Sequence, residues 1–197
     1  MNGIISGIIS LMMMLSMSTG SGGPDSDAAQ AAAEDFLHAM AAGNIQEAVN
    51  YVDEDTVSHI ATIKDDEEAT KTLYENLFDG FEAETVAVGT KNNVAVVKMN
   101  IKGHDFSEAQ KAAEDEAYKY ITSNLESDEV KDKDKLADKC LEIYLEKISE
   151  ISKESDVTES TIYVPLVLDG HNQWRVLLNQ ELMKLITGNL ELPNVKK

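Results

Sequence analysis

The sequence predicts an α+β fold, an antiparallel sheet of about four strands packed on N-terminal helices, with a helical hairpin inserted between two β-hairpins. Two observations carry this. Along the chain the hydrophobic spacing runs helical, alternating, helical, alternating and helical again. In addition, 197 residues at 43% hydrophobic composition suffice for one buried core without disulfide staples.

The first element runs from Asp27 to Ala42, where Ala29, Ala32, Ala33, Phe36, Leu37 and Met40 recur at helical spacing, behind Pro24-Asp25 and before Gly43. Asn44 and Glu47 then form a capping-box pattern that opens a short second helix with Ala48, Tyr51 and Val52 on its apolar face. Glu67 to Phe78 makes a third helix, with Ala69, Leu73, Leu77 and Phe78 on one stripe behind the acidic Asp65-Asp66-Glu67-Glu68 and with Gly80 as its stop. The period changes to two at Glu84 to Thr90 and Val94 to Lys102, around Lys91-Asn92-Asn93. Ala95, Val97, Met99 and Ile101 fall on one face of the second strand and Lys98, Asn100 and Lys102 on the other, so one face is expected to be wet.

Helical spacing returns in two blocks, Ala109 to Ile121 and Leu136 to Ile151, separated by the polar stretch Ser123 to Lys135. They form the inserted hairpin, residues 107–153, read either as a lid over the sheet or as a partner surface. Thr158 to Leu168 and Gln173 to Leu178 are β-branched and aromatic runs around Asp169-Gly170-His171-Asn172, a second β-hairpin. Glu181 to Ile186 closes the domain as a short helix with Gly188 as its stop.

Residues 1–20 read as a signal peptide: Gly3 to Met17 is apolar apart from Ser and Gly, and no charged side chain precedes Asp25. That stretch is short of the roughly 20 apolar residues of a membrane span, and small residues after it offer cleavage after Ser18 or Gly20. The departure is the missing positive charge near Met1, and an uncleaved anchor and a buried helix are the competing readings. Residues 21–27 form a Gly/Ser-rich tether, 28–190 a single domain and 191–197 a tail.

Lys and Arg total 17 against 36 Asp and Glu, a formal charge of −19. Such a surface repels phosphate backbones and anionic lipid, which excludes a nucleic-acid role. A single cysteine, Cys140, removes a disulfide framework and a zinc site built on several thiolates.

The opening AAAEDFLHAMAAGNIQEAVNYV, Ala31 to Val52, and the closing WRVLLNQELMKLITGNL, Trp174 to Leu190, resemble uncharacterised extracytoplasmic domains of Gram-positive bacteria. Those domains are often lipoproteins and belong to the cystatin-like or nuclear-transport-factor-two-like superfamily. The resemblance implies a curved, cone-shaped sheet wrapped around the first helix, and it implies no defined activity, because fold alone does not set function. Lipoproteins carry a cysteine at the cleavage point, where this sequence has Ser18, Thr19 and Gly20, so lipidation is not supported.

His38, His59, His104 and His171 are scattered without metal-binding spacing. Cys140 sits on an apolar stripe as a small hydrophobe, and Asp138 and Glu142 beside it oppose thiolate formation. Asp65-Asp66-Glu67-Glu68 and Asp132-Lys133-Asp134 lack the glycine and closing glutamate of a calcium loop. No cofactor and no metal is expected.

Arg175 is the only arginine, and its guanidinium suits a carboxylate; the plain alternative is an exposed strand arginine paired with Asp or Glu. Its face depends on the hairpin register. A two-residue loop, Gly170-His171, sets Val167 opposite Trp174, whereas Gly170-His171-Asn172 sets Leu168 there, and the two choices put Arg175 on opposite faces. Trp174 and Tyr163 are the other candidate ligand-binding residues, with core filling as their ordinary role.

The reading that follows is a secreted or cell-envelope binding domain without chemistry of its own, for a small molecule, a peptide or an envelope protein. Two others compete with it: an isomerase- or dehydratase-like enzyme using the cone pocket, disfavoured by the apolar inward positions 95, 97, 99 and 101, and a homodimer through the sheet face, which requires an exposed apolar patch opposite the helices.

Overall fold

The computed structural model describes Ile8, Met12, residues 24–63 and residues 66–190. Most of the expected signal peptide, part of the tether, Asp65 of the acidic opening and the tail lie outside the described residues.

Helix α1 (Pro24–Ala41) begins with proline, whose missing N–H is no loss in a first turn, followed by Asp25 and Asp27 at the positive end. Its stripe of Ala29, Ala33, Phe36, Leu37 and Met40 is buried and packs against all four strands. Gly43, at φ +66°, turns the chain out of the helix. Helix α2 (Ile45–Val49) is capped as expected: Asn44 Oδ1 accepts from the Glu47 N–H at 3.3 Å, and Asn44 Nδ2 donates to Glu47 Oε2 at 2.7 Å. It ends earlier than its apolar face suggests because the sheet takes over the backbone. The Val176 N–H donates to the Tyr51 carbonyl at 2.8 Å and the Asp53 N–H to the Val176 carbonyl at 2.9 Å, which ties residues 51–53 to a strand edge.

A 3-10 turn at Val57–His59, without a sequence signal, leads to α3 (Glu67–Leu77). Asp66 Oδ1 caps α3 by accepting from the Ala69 N–H at 2.8 Å. Tyr74 of α3 is fully buried; its hydroxyl donates to the Ala61 carbonyl at 2.9 Å, and burial raises its pKa above the ordinary phenol value.

The sheet contains β1 (Glu82–Lys91), β2 (Val94–Gly103), β3 (Thr158–Leu168) and β4 (Trp174–Val176), in that order and antiparallel throughout. The two expected hairpins are joined by a long β2–β3 ladder, Val94 opposite Val167 at one end and Gly103 opposite Thr158 at the other. Between them lie α4 (Ala109–Ser123), α5 (Asp128–Lys131) and α6 (Lys133–Glu154). The expected polar link thus holds a short helix, because Ser127 accepts from the Val130 N–H and Asp132 from the N–H groups of Asp134 and Lys135, so each starts a helix. Helix α6 packs on α4 and on α3, and its Ile148 is fully buried in the main core. The insertion therefore extends the helical layer.

Helix α7 (Gln180–Ile186) starts at Asn179, whose side chain accepts from the Leu182 N–H at 2.9 Å. Beyond its end Gly188 takes φ +61°, and a Cβ there would sit 2.0 Å from the His104 carbonyl oxygen. The close approach lets the Gly188 carbonyl accept from the Phe106 N–H at 2.6 Å, which fastens the turn after α7 to the start of the insertion.

Ala95, Val97, Met99 and Ile101 face the core with Ile162, Val164 and Leu166. The opposite face is wet only in part. Lys102 bridges Glu82 at 3.2 Å and Glu159 at 3.6 Å, and Thr161 Oγ1 donates to Asn100 Oδ1 at 2.9 Å. At the other end Ala87, Val94 and Val96 form a second apolar cluster, which corrects the expectation of a uniformly wet face.

Candidate functional site

A groove of about 1190 Å³ opens where the β3–β4 turn meets α1 and residues 49–57. Small side chains of α1, Ala28, Ala31 and Ala32, leave room for it. Trp174 and Arg175 come from β4 and Tyr51 from the segment bridged to β4, so the edge of the sheet supplies its aromatic wall.

The turn settles the register left open by the sequence. Leu168 lies opposite Trp174 and Val167 opposite Arg175, which selects the three-residue loop Gly170-His171-Asn172, with Asn172 at φ +58°. Trp174 therefore faces the core side with Val176, and Arg175 shares the other face with Val167. Asp169 organises the turn: Oδ1 accepts from the N–H groups of His171 and Gln173, both at 2.8 Å, and Oδ2 accepts from Arg175 Nε at 3.0 Å. The Gln173 N–H above all, and then the Arg175 guanidinium, hold the Asp169 carboxyl below the usual carboxylate range. Arg175 Nη2 also donates to Gln173 Oε1. Two of its five N–H donors are thus engaged within the turn, by Asp169 and Gln173.

Of the three candidate residues, the structure brings Trp174 and Arg175 together in the groove. Tyr163 lies elsewhere, half-buried on the outer sheet face beside the second apolar cluster. Tyr51 joins Trp174 instead, a partnership invisible in a sequence that places it on the face of a short helix. Its phenol pKa is raised, chiefly by the Asp35 carboxylate, then by burial and Glu47. Asp35, Asp53, Glu54, Asp55 and Asp169 line the groove against the single guanidinium of Arg175, so its field is negative. His171 sits at the turn on the rim, whereas His104 is buried with Nδ1 2.9 Å from Ser155 Oγ. Cys140 is a free, half-buried thiol on α6. Among the described residues no group of three or more His, Cys, Asp or Glu is arranged to hold a metal ion.

A family model described as a domain of unknown function, DUF5105, matches residues 27–188, from the first turn of α1 past the end of α7. The chain belongs to the DUF5105 family. In this DUF5105 domain the match takes in the groove and the helical insertion alike. Among solved structures, the crystal structure of a Bacillus subtilis protein described as a lipoprotein overlaps it at 16% identity and a TM-score of 0.41, over 78% of this chain and 44% of that one. The DUF5105 chain thus spans less than half the length of that protein. No curated protein matches its sequence. Among the described residues no helix is long and apolar enough to cross a membrane.

Proposed function

We propose that this DUF5105 domain is an extracytoplasmic, cell-envelope binding domain that does no chemistry of its own and receives a cationic ligand in the groove between α1 and the β3–β4 turn. The observation that carries this is the pairing of an aromatic wall, Tyr51 and Trp174, with the carboxylates of Asp35, Asp53 and Asp169 in one groove. An amine or guanidinium there gains both cation–π attraction and charge complementarity. Arg175, tied to Asp169, supports the turn from which Trp174 projects. Export is supported by the apolar, charge-free Gly3 to Met17 and the Gly/Ser-rich run behind it. The packing of α1 against all four strands supports the likeness to cystatin-like domains.

Trp174 is the sole tryptophan and reports on the groove directly. The chain is recovered from a Gram-positive secreting host, and its mass should place the mature N-terminus after Ser18 or Gly20; an intact Met1 would remove the cleaved signal peptide, and its recovery from the cytoplasm would remove the export reading. Titration with an oligolysine peptide should then change Trp174 fluorescence saturably, with affinity falling at least tenfold between low and 0.5 M salt, as expected of an interaction between exposed charges (roughly 10 Å Debye length at 0.1 M). Asp35→Asn/Asp53→Asn should weaken it by a similar factor. A flat response at low salt would overturn the cationic ligand.

A further inference from the structure

The second apolar cluster lies on the face of the sheet that points away from the main core. Ala87, Val94 and Val96 are only 4%, 7% and 0% exposed there, with Tyr163 beside them. Packed against them are Ile8 and Met12, both helical and both half-buried. Four-residue spacing places these two side chains on one face of a helix. The sequence around them, Gly3 to Met17, contains no charged side chain.

We propose that this patch on β1–β3 is a docking site for the chain's own N-terminal apolar segment, which lies back on the folded domain through Ile8 and Met12. The contact is intramolecular, so a small patch suffices: the short covalent link from Met12 to Pro24 keeps the segment at high effective concentration beside the sheet. The patch is built at the Val94–Val96 end of the outer face, bounded by Lys98, which lies opposite both Ala87 and Tyr163, and away from the ion pairs at the Lys102 end. Docking couples folding to targeting. A chain that folds before export covers its own leader, and one that has lost the leader leaves Ala87, Val94, Val96 and Tyr163 bare. The inference concerns the uncleaved chain and does not depend on the groove or its ligand.

The test uses the full chain purified from the cytoplasm, with and without Ile8→Asp/Met12→Asp, a change that leaves the domain's main core untouched. Methyl NMR should show Val94 and Val96 signals shifting between the two chains while Val97 and Val164 of the main core stay put, and the variant should bind at least twofold more of an apolar dye. Unchanged Val94 and Val96 signals would overturn the proposal. So would shifts that track protein concentration in a chain sedimenting as a dimer, because a second copy would then be the occupant.

Discussion

Asp169 does at the scale of one side chain what a longer turn would need several residues to do. One oxygen gathers two backbone N–H groups of the loop and the other holds Arg175. Each of these bonds favours the ionised carboxyl, so its folded-state pKa lies below the unfolded value of about 3.9. The folded state therefore binds the proton less readily than the unfolded one, and the resulting stabilisation is present above the unfolded pKa and lost as pH falls through the lower folded value. We expect wild type to unfold at a higher temperature than Asp169→Asn at pH 6, and the gap to narrow steadily below about pH 4. Thermal melts of both proteins from pH 7 to pH 2 check this, and a gap independent of pH would mean that Asp169 acts through shape alone.

Among the elements, the α4–α6 insertion separates surface decoration from structural anchorage. Its ion pairs, such as Lys139 with Glu142 at 2.9 Å and Lys147 with Glu150 at 2.7 Å, lie on the exposed side. Solvent-screened pairs of this kind, one turn apart on a single helix, add little to stability. Ile148 is different: it is fully buried in the same core as Phe36 and Met99. Ile148→Ala should cost about 2–5 kcal/mol and lower the single unfolding transition of the whole domain. An insertion that is only an appendage would instead melt separately and leave the sheet's transition in place, a difference that denaturant unfolding followed by Trp174 fluorescence and by far-UV circular dichroism resolves.

Over the whole molecule the dominant fact is charge. With 36 acidic side chains against 17 basic ones, the compact state repels itself, and the groove concentrates part of that excess between α1 and the β3–β4 turn. Raising NaCl from 10 mM to 0.5 M should stabilise the domain by about 1 kcal/mol, or roughly 2–4 °C in Tm, by screening that repulsion. The same salt should weaken binding of a cationic peptide. Differential scanning calorimetry across the salt series checks the first effect, and a Tm that falls with salt would show that the ion pairs outweigh the excess charge.

The order of elements was legible in the residues, because it rests on local chemistry. Hydrophobic period distinguishes helix from strand, Asn44 with Glu47 starts α2, and Gly43 and Gly188 end their helices through conformations that cost other residues more. The candidate site was legible by half. Trp174 and Arg175 stood out by type, but the face of Arg175 turned on a single residue of loop length, which a strand's two-residue period amplifies into a full reversal. Tyr51 and Trp174 are far apart in the chain and meet where Val52 bridges to Val176 at the edge of β4. The outer face also looked wet from Lys98, Asn100 and Lys102, whereas Val94 and Val96 there are covered by Ile8 and Met12. Sequence by itself determined the order of the main helices and strands and the ends that a cap or a glycine marks, since neighbouring residues decide those. Which side chains share a groove, and which apolar face is covered, was decided by tertiary contacts between residues that carry no local record of one another.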